Sequence, residues 1–329
     1  SIGAAGSLAA PGAASEWALL GAALLLVVTG MFQLRALFGV LPPRGISLVD
    51  LERDPLTKGD DASLKHVRLA HIFLPAGLAI LAAAAWPGLG ATPMERLRLA
   101  GLHVLLVGYG VLSLYGLGHL VVPRYSGVPA IAAGAIKGEL HSSLAAIVLL
   151  AAGFLSGVMG LVVAGGAFAF LGVFTYMGVL GANIMRNKSR TQQVTPEFTY
   201  VPWTFSAVFW LVSGVLLGIF LNAVPDAYAA RLPALRFTHV HALLLGGFAQ
   251  LILGFAQRAI PAEAGRPPPR FSTGRWGFYL LNAGLVILIL GALADRDGAF
   301  RAGALMAALA FAVSFMSLAR HLRAGRPSP

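Results

Sequence analysis

The chain has 329 residues, 57 % of them hydrophobic and only 11 % charged, with a mean hydropathy of +0.79. That is far more apolar than a soluble domain of this length needs for its core, so most of its surroundings are lipid. Cysteine is absent, which excludes disulfides, thiolate zinc sites, iron–sulfur clusters, cysteine nucleophiles and covalent c-type haem attachment. The formal charge of +11 lies between hydrophobic runs, the pattern of a membrane topology signal and not of nucleic-acid binding.

Residues 1–15 read as a flexible extracytoplasmic leader. Apolar runs able to cross about 30 Å of hydrocarbon follow. They lie near 17–41, 66–86, 99–122, 138–156, 158–185, 201–221, 235–260, 273–294 and 299–320. The expected fold is therefore an all-α, polytopic bundle of about nine transmembrane helices in one domain, with a cytoplasmic loop over 42–65. The boundary between the fourth and fifth runs rests on the Ser156-Gly157 region alone. If the nine helices alternate, 18 of the 24 Lys and Arg residues fall on one side and six on the other. This positive-inside asymmetry places the N-terminus outside and the C-terminus in the cytoplasm of a bacterial-type inner (plasma) membrane.

Residues 103–129 align without a gap on 241–267, and eight of the 27 positions are identical, among them His103/His241, Gly108/Gly246, Gly116/Gly254 and Pro123/Pro261. The copies fall in the third and seventh spans, an even number apart, so the repeat is parallel. Its glycines suit either close helix packing or the face of a flat cofactor.

Histidine within a membrane is a candidate functional residue by default. His103, His239 and His241 fall toward the outer side, and His66, His71, His119 and His141 toward the cytoplasm. His103 and His119 are 16 residues apart, roughly 24 Å along a helix, so they belong to separate sites. His239 and His241 point about 200° apart and address opposite sides of their helix. Two helices bringing one imidazole each, His103 and His241, would make a bis-histidine haem b, with His239 facing a second group. His71, His119 and His141 are further candidate metal ligands, whereas His66 reads as a hydrated residue near the interface. For a haem with one open position, Tyr109, Thr238 or Gln250 would line the open side. Arg98 and Arg236 are candidates for haem propionates on the outer side, and Arg124 and Arg258 on the inner. Trp17, Trp86, Trp203 and Trp276 read as interfacial anchors. The acidic residues all read as lying in loops or near helix ends.

The segment HVHALLLGGFAQLILGFAQRAIPAEAGRP resembles the His-Ala-Leu helix and Gly-Arg-Pro turn of the NnrS family of haem- and copper-containing membrane proteins. LHVLLVGYGVLSLYGLGHLVVPRYSG is similar to that family's earlier His-bearing helix, and RAGALMAALAFAVSFMSLARHLRAGRP to its closing helix. The H-x-H helix also resembles the haem-ligating helix of heme-copper oxidase catalytic subunits. The resemblance implies haem at His103, His239 and His241, copper as a further metal, and a role in nitrogen-oxide or respiratory metabolism; if electrons enter from quinol, the lipid-facing surface near a haem would also hold a quinone, and other respiratory subunits are the further candidate partners. The chain departs from the pattern in having about nine helices instead of about twelve, and Gly101 where a second histidine would precede His103. The three outer-side histidines are too few for a complete oxidase or nitric oxide reductase site, so oxygen reduction at a haem–copper pair is not expected. The expected function is electron transfer or binding of a small gas such as nitric oxide. The alternatives are a transporter of a metal ion or small solute, whose signs would be broken helices and a membrane-embedded acid, and a cofactor-free structural subunit of a respiratory complex.

Overall fold

Backbone in hydrocarbon has no water to bond, so a chain this apolar has to satisfy its amides within each segment. The computed structural model describes residues 57–86, 88–125, 128–187, 201–224, 229–263 and 269–324, which are helical almost throughout and contain no strand. Eight helices among them are long and apolar enough to cross a membrane, giving a multi-pass helical bundle. They coincide with the second to ninth predicted runs. The first run, the leader, Trp17 and most of the predicted 42–65 loop lie outside the described residues. The end of that loop is a correction: α1 (Lys58–Ala84) already begins at Lys58. A capping box starts it, in which Thr57 Oγ1 accepts from the Asp60 amide at 3.2 Å and an Asp60 carboxylate oxygen accepts from the Thr57 amide at 2.8 Å.

The second span is composite. It runs as α2 (Ala91–His103), a π-helical stretch π1 (Val104–Val111) and α3 (Leu112–Tyr125). Next come α4 (Ala133–Ser156) and α5 (Met159–Arg186), separated where predicted by Gly157, whose φ of 74° closes the preceding helix in the left-handed region. After α6 (Val201–Ala223), a second composite span is built from α7 (Leu232–His241), π2 (Ala242–Ala249) and α8 (Gln250–Glu263). The hairpin of α9 (Phe271–Leu293) and α10 (Asp297–Ala324) completes the bundle.

The repeat extends well past the two aligned segments. Shifting π1 by 138 residues lands on π2, α3 on α8 and α5 on α10, residue for residue. The left-handed Gly157 falls on Asp295, the one described non-glycine residue with positive φ. The eight described spans are thus two four-helix units, α1–α5 and α6–α10. The glycines show why the units pack alike. A Cβ on Gly153 would meet the Val162 amide and one on Gly165 the Leu150 amide, which is how α4 and α5 approach backbone to backbone. Gly291 against Phe300 and Gly303 against Leu288 do the same for α9 and α10. Gly77 sits on Leu105 as Gly214 sits on Leu243, which aligns α1 with α6 at an offset of 137. Gly108 and Gly246, open at the sequence level to packing or a cofactor face, are filled by Phe73 and Trp210.

The units meet along their composite spans. Gly110 of π1 faces the ring of Phe248 in π2, and these are repeat equivalents. At the α2 end, Glu95 lies 4.0 Å from Arg98 and 3.8 Å from Arg236, again an equivalent pair. A local pseudo-twofold relation therefore runs between α2–π1–α3 and α7–π2–α8.

Candidate functional site

On the face of the bundle marked by Glu95, α2 and α7 end on the histidines that precede the π segments. Each of these rings is anchored through Nδ1. His103 donates to the Leu99 carbonyl at 2.8 Å, His241 to the Phe237 carbonyl at 3.0 Å and His239 to the Gly214 carbonyl of α6 at 2.8 Å. A main-chain carbonyl can only accept, so Nδ1 carries the hydrogen and Nε2 keeps its lone pair. His103 also packs against Phe154, with ring centroids 4.6 Å apart, and lies within electrostatic reach of His239. His241 stacks instead on Phe237 of its own helix, centroids 3.8 Å apart. Arg98 and Arg236 converge on Glu95 in exposed positions, where such a pairing contributes little to stability.

The extra histidine of the second unit has a packing counterpart in the first. Gly101 stands where His239 does, and it receives the side chain of Leu81; in the second unit Gly218 replaces that leucine and receives the His239 ring. The small residue has changed helices. Of the residues proposed to line an open haem face, Tyr109 packs edge-on to His71 at 5.8 Å, Thr238 donates to the Ala234 carbonyl at 2.8 Å, and Gln250 bonds Asn282 at 3.0 Å. The side chains of Arg124 and Arg258 lie outside the described residues.

Toward the opposite face, the first unit holds a polar cluster that the sequence does not announce. Glu139 is the seventh residue of α4, and it is 1 % exposed. Its Oε2 accepts from His119 Nε2 of α3, and its Oε1 lies 3.3 Å from His66 Nε2 of α1. His66 donates through Nδ1 to the Ala62 carbonyl at 3.1 Å. Tyr176 of α5 stacks on Tyr115 at 4.4 Å between ring centroids and packs edge-on to His119 at 4.9 Å. All of these side chains are 0–2 % exposed. The Tyr176 hydroxyl, His119 Nδ1, His66 Nε2 and Glu139 Oε1 have no hydrogen-bond partner, so four polar atoms without conventional partners stand together in a protein interior, where each is costly.

Three sequence-based expectations change here. Glu139 is buried inside the bundle, two turns into a helix long and apolar enough to cross a membrane, and not in a loop. His66, read as hydrated near the interface, is fully buried and paired. His141, two residues beyond Glu139 and so about 200° around α4, is exposed on the outside of the helix and does not join His119. His71 is buried one turn from His66, with Nδ1 donating to the Val67 carbonyl at 2.6 Å. Pairing separations of 73 residues (His66 to Glu139) and 20 (His119 to Glu139) carry no local signature. The available signal was that Glu139 and His119 flank a short turn between consecutive spans. Among the described residues, no three His, Asp or Glu side chains are arrayed to hold a metal ion.

The second unit replaces this cluster throughout. At the equivalent positions His66 becomes Trp203, His119 becomes Gln257, Glu139 becomes Gly277 and Tyr176 becomes Ser314. Trp203 is therefore not the interfacial anchor expected: it is 0 % exposed and packs edge-on to Phe278 at 5.3 Å, while Trp86 and Trp276 are exposed. The second unit carries its own polar group elsewhere. Asn282, midway along α9, accepts from Ser206 at 2.6 Å, from Trp210 at 3.0 Å and from Gln250 at 3.0 Å. Comparison with protein-family models and with curated proteins finds no match for this sequence.

Proposed function

We propose that the protein is an integral membrane haem b protein of a bacterial-type inner membrane, acting in electron transfer or in binding a small gas such as nitric oxide. The observation that carries this reading is the state of the Glu95-side histidines. His103 and His239 stand on repeat-related helices within electrostatic reach of one another, each with Nδ1 tied to a carbonyl and Nε2 left as a ligating lone pair. That is the arrangement by which proteins orient imidazole toward iron. His103 and His239 would hold the haem, with His241 as a second ligand to be distinguished from them. Arg98 and Arg236 stand near the same end of the bundle, where propionates would need them. Bound haem would supply reversible one-electron chemistry if both axial positions are filled, or an open position for a gas if one is. The carbonyls of Leu99 and Gly214 keep each ring in one tautomer. Copper is proposed from the resemblance, quinone and respiratory partner subunits from the electron-transfer reading, and an orientation with the Glu95 face outside and the Glu139 face cytoplasmic from the Lys and Arg asymmetry.

An absorption spectrum of the purified protein, oxidised and dithionite-reduced, with extracted haem quantified, tests the reading. A Soret band is expected, with the low-spin signal lost in His103→Ala and in His239→Ala. No Soret band after expression with ample haem would overturn it.

A second reading is transport of a small solute or metal ion. It gains from the buried Glu139 and from the two spans interrupted by π1 and π2, the signs that the sequence did not reveal. Uptake into proteoliposomes by haem-free protein, abolished in Glu139→Gln, would support it over the first.

A further inference from the structure

We infer that His66, His119 and Glu139 form a buried proton-binding site, which holds one exchangeable proton on the His66–Glu139 pair. The argument is a count of hydrogens. His66 spends its Nδ1 hydrogen on the Ala62 carbonyl, which cannot donate in return, so the neutral ring presents a bare lone pair at Nε2. The atom it faces at 3.3 Å is a carboxylate oxygen, which has no hydrogen either. Neither atom has a hydrogen-bond partner, and two bare acceptors held that close in a site closed to water repel one another, a cost that a proton on either group removes. Glu139 has already used Oε2 to accept from His119, so this proton is additional to that bond.

The charge count agrees. Two neutral imidazoles and one carboxylate carry a net charge of −1 in a site that is 0–2 % exposed. One added proton brings the cluster to zero, as an imidazolium–carboxylate pair or as a neutral acid beside a neutral ring, and removes the cost of a lone buried charge. The groups facing it are His66 from α1, His119 and Tyr115 from α3, Glu139 from α4 and Tyr176 from α5. Among the described residues no Lys or Arg pairs with Glu139, so a fixed positive charge does not do the proton's work. His119 Nδ1 and the Tyr176 hydroxyl, both unpartnered and on adjoining rings, are the next groups able to take up or pass on a proton. No bond to carbon changes in the step, which moves a proton between bulk water and the cluster. The inference stands apart from the haem reading, since it concerns the other end of the bundle.

The test is an infrared pH titration of the full-length protein in liposomes, with glutamate carrying a ¹³C-labelled side-chain carboxyl. The expected result is a glutamate carboxyl change that shifts in heavy water, disappears in Glu139→Gln, and moves to a different pH in His66→Gln while haem content is unchanged. An identical titration in Glu139→Gln would overturn the inference. So would the absence of any labelled carboxyl change in folded wild-type protein, a measurement that needs no variant to fold. Stoichiometric bound metal that is lost in Glu139→Gln would also overturn it, because a metal ion would then fill the gap assigned to the proton.

Discussion

The two four-helix units share their helix ends, their π segments and their close-packing glycines, yet the second places a hydrogen-bonded polar group where the first is apolar, and the first places ionisable residues where the second has none. In the first unit, His66, Glu139, His119 and Tyr176 gather near one end of the spans, and the middle is filled by Leu69, Phe73, Leu112 and Leu144. In the second, those four apolar positions are Ser206, Trp210, Gln250 and Asn282, bonded together at 2.6–3.3 Å. The end cluster is replaced there by Trp203, Gln257, Gly277 and Ser314. One backbone thus supports two different distributions of polarity. What the units hold in common is geometry, set by glycine and by volume, while the chemistry is placed independently.

The most disruptive way to break this comparison is to remove the acid of the first unit. Glu139→Ala leaves both imidazoles without their partner, and a loss of about 3–5 kcal/mol is expected, read by denaturant unfolding in detergent micelles. Asn282→Leu gives the second unit the residue of the first, Leu144, but strands Gln250, Trp210 and Ser206; about 1–3 kcal/mol should be lost. Reversing all four positions together, Ser206→Leu, Trp210→Phe, Gln250→Leu and Asn282→Leu, should recover most of that loss, because apolar groups of similar shape replace every member of the network. A quadruple variant no more stable than Asn282→Leu alone would show that the units differ in shape as well as polarity. Next in size, Gly165→Ala and Gly303→Ala should each cost about 1–3 kcal/mol, since in both hairpins the new methyl meets the backbone across the interface. Clearly unequal losses would mean that the hairpins are not packed alike. The smallest effect is at the turns. Arg96 donates to the Ser156 carbonyl at 3.5 Å and Arg231 to that of Leu293, each at the end of the third span of its unit. Removing either guanidinium by Arg→Ala should cost roughly 0.3–1 kcal/mol.

The sequence was legible where one rule governs many residues. Hydrocarbon demands long apolar helices, so eight predicted runs coincide with eight described spans, and even the break after Ser156 was readable because Gly157 ends one helix at a positive φ. Only the middle of the repeat was visible. His103/His241 and the nearby glycines keep their identity, whereas α1 and α6 share little beyond Ala70/Ala207, Leu74/Leu211 and Gly77/Gly214, and elsewhere keep shape alone, as in Phe73 and Trp210 filling equivalent glycine notches. The π segments were hidden because VLLVGYGV and ALLLGGFA are ordinary apolar helix sequences. Glu139 was misjudged because an acid two turns from a helix start normally reaches water. What holds it inside, His66 and His119, comes from other helices, and no local pattern reports that.

The π segments have one more consequence. Each hoards about one residue of slack between the two ends of a composite span. Were π1 to tighten into regular α geometry, everything beyond it would swivel relative to everything before it, by on the order of 100°. His103 sits immediately ahead of that joint and His119 eight residues behind it. The span is therefore built like a crankshaft, with an imidazole on each arm, and a twist at its bearing would uncouple His119 from Glu139 without moving His103.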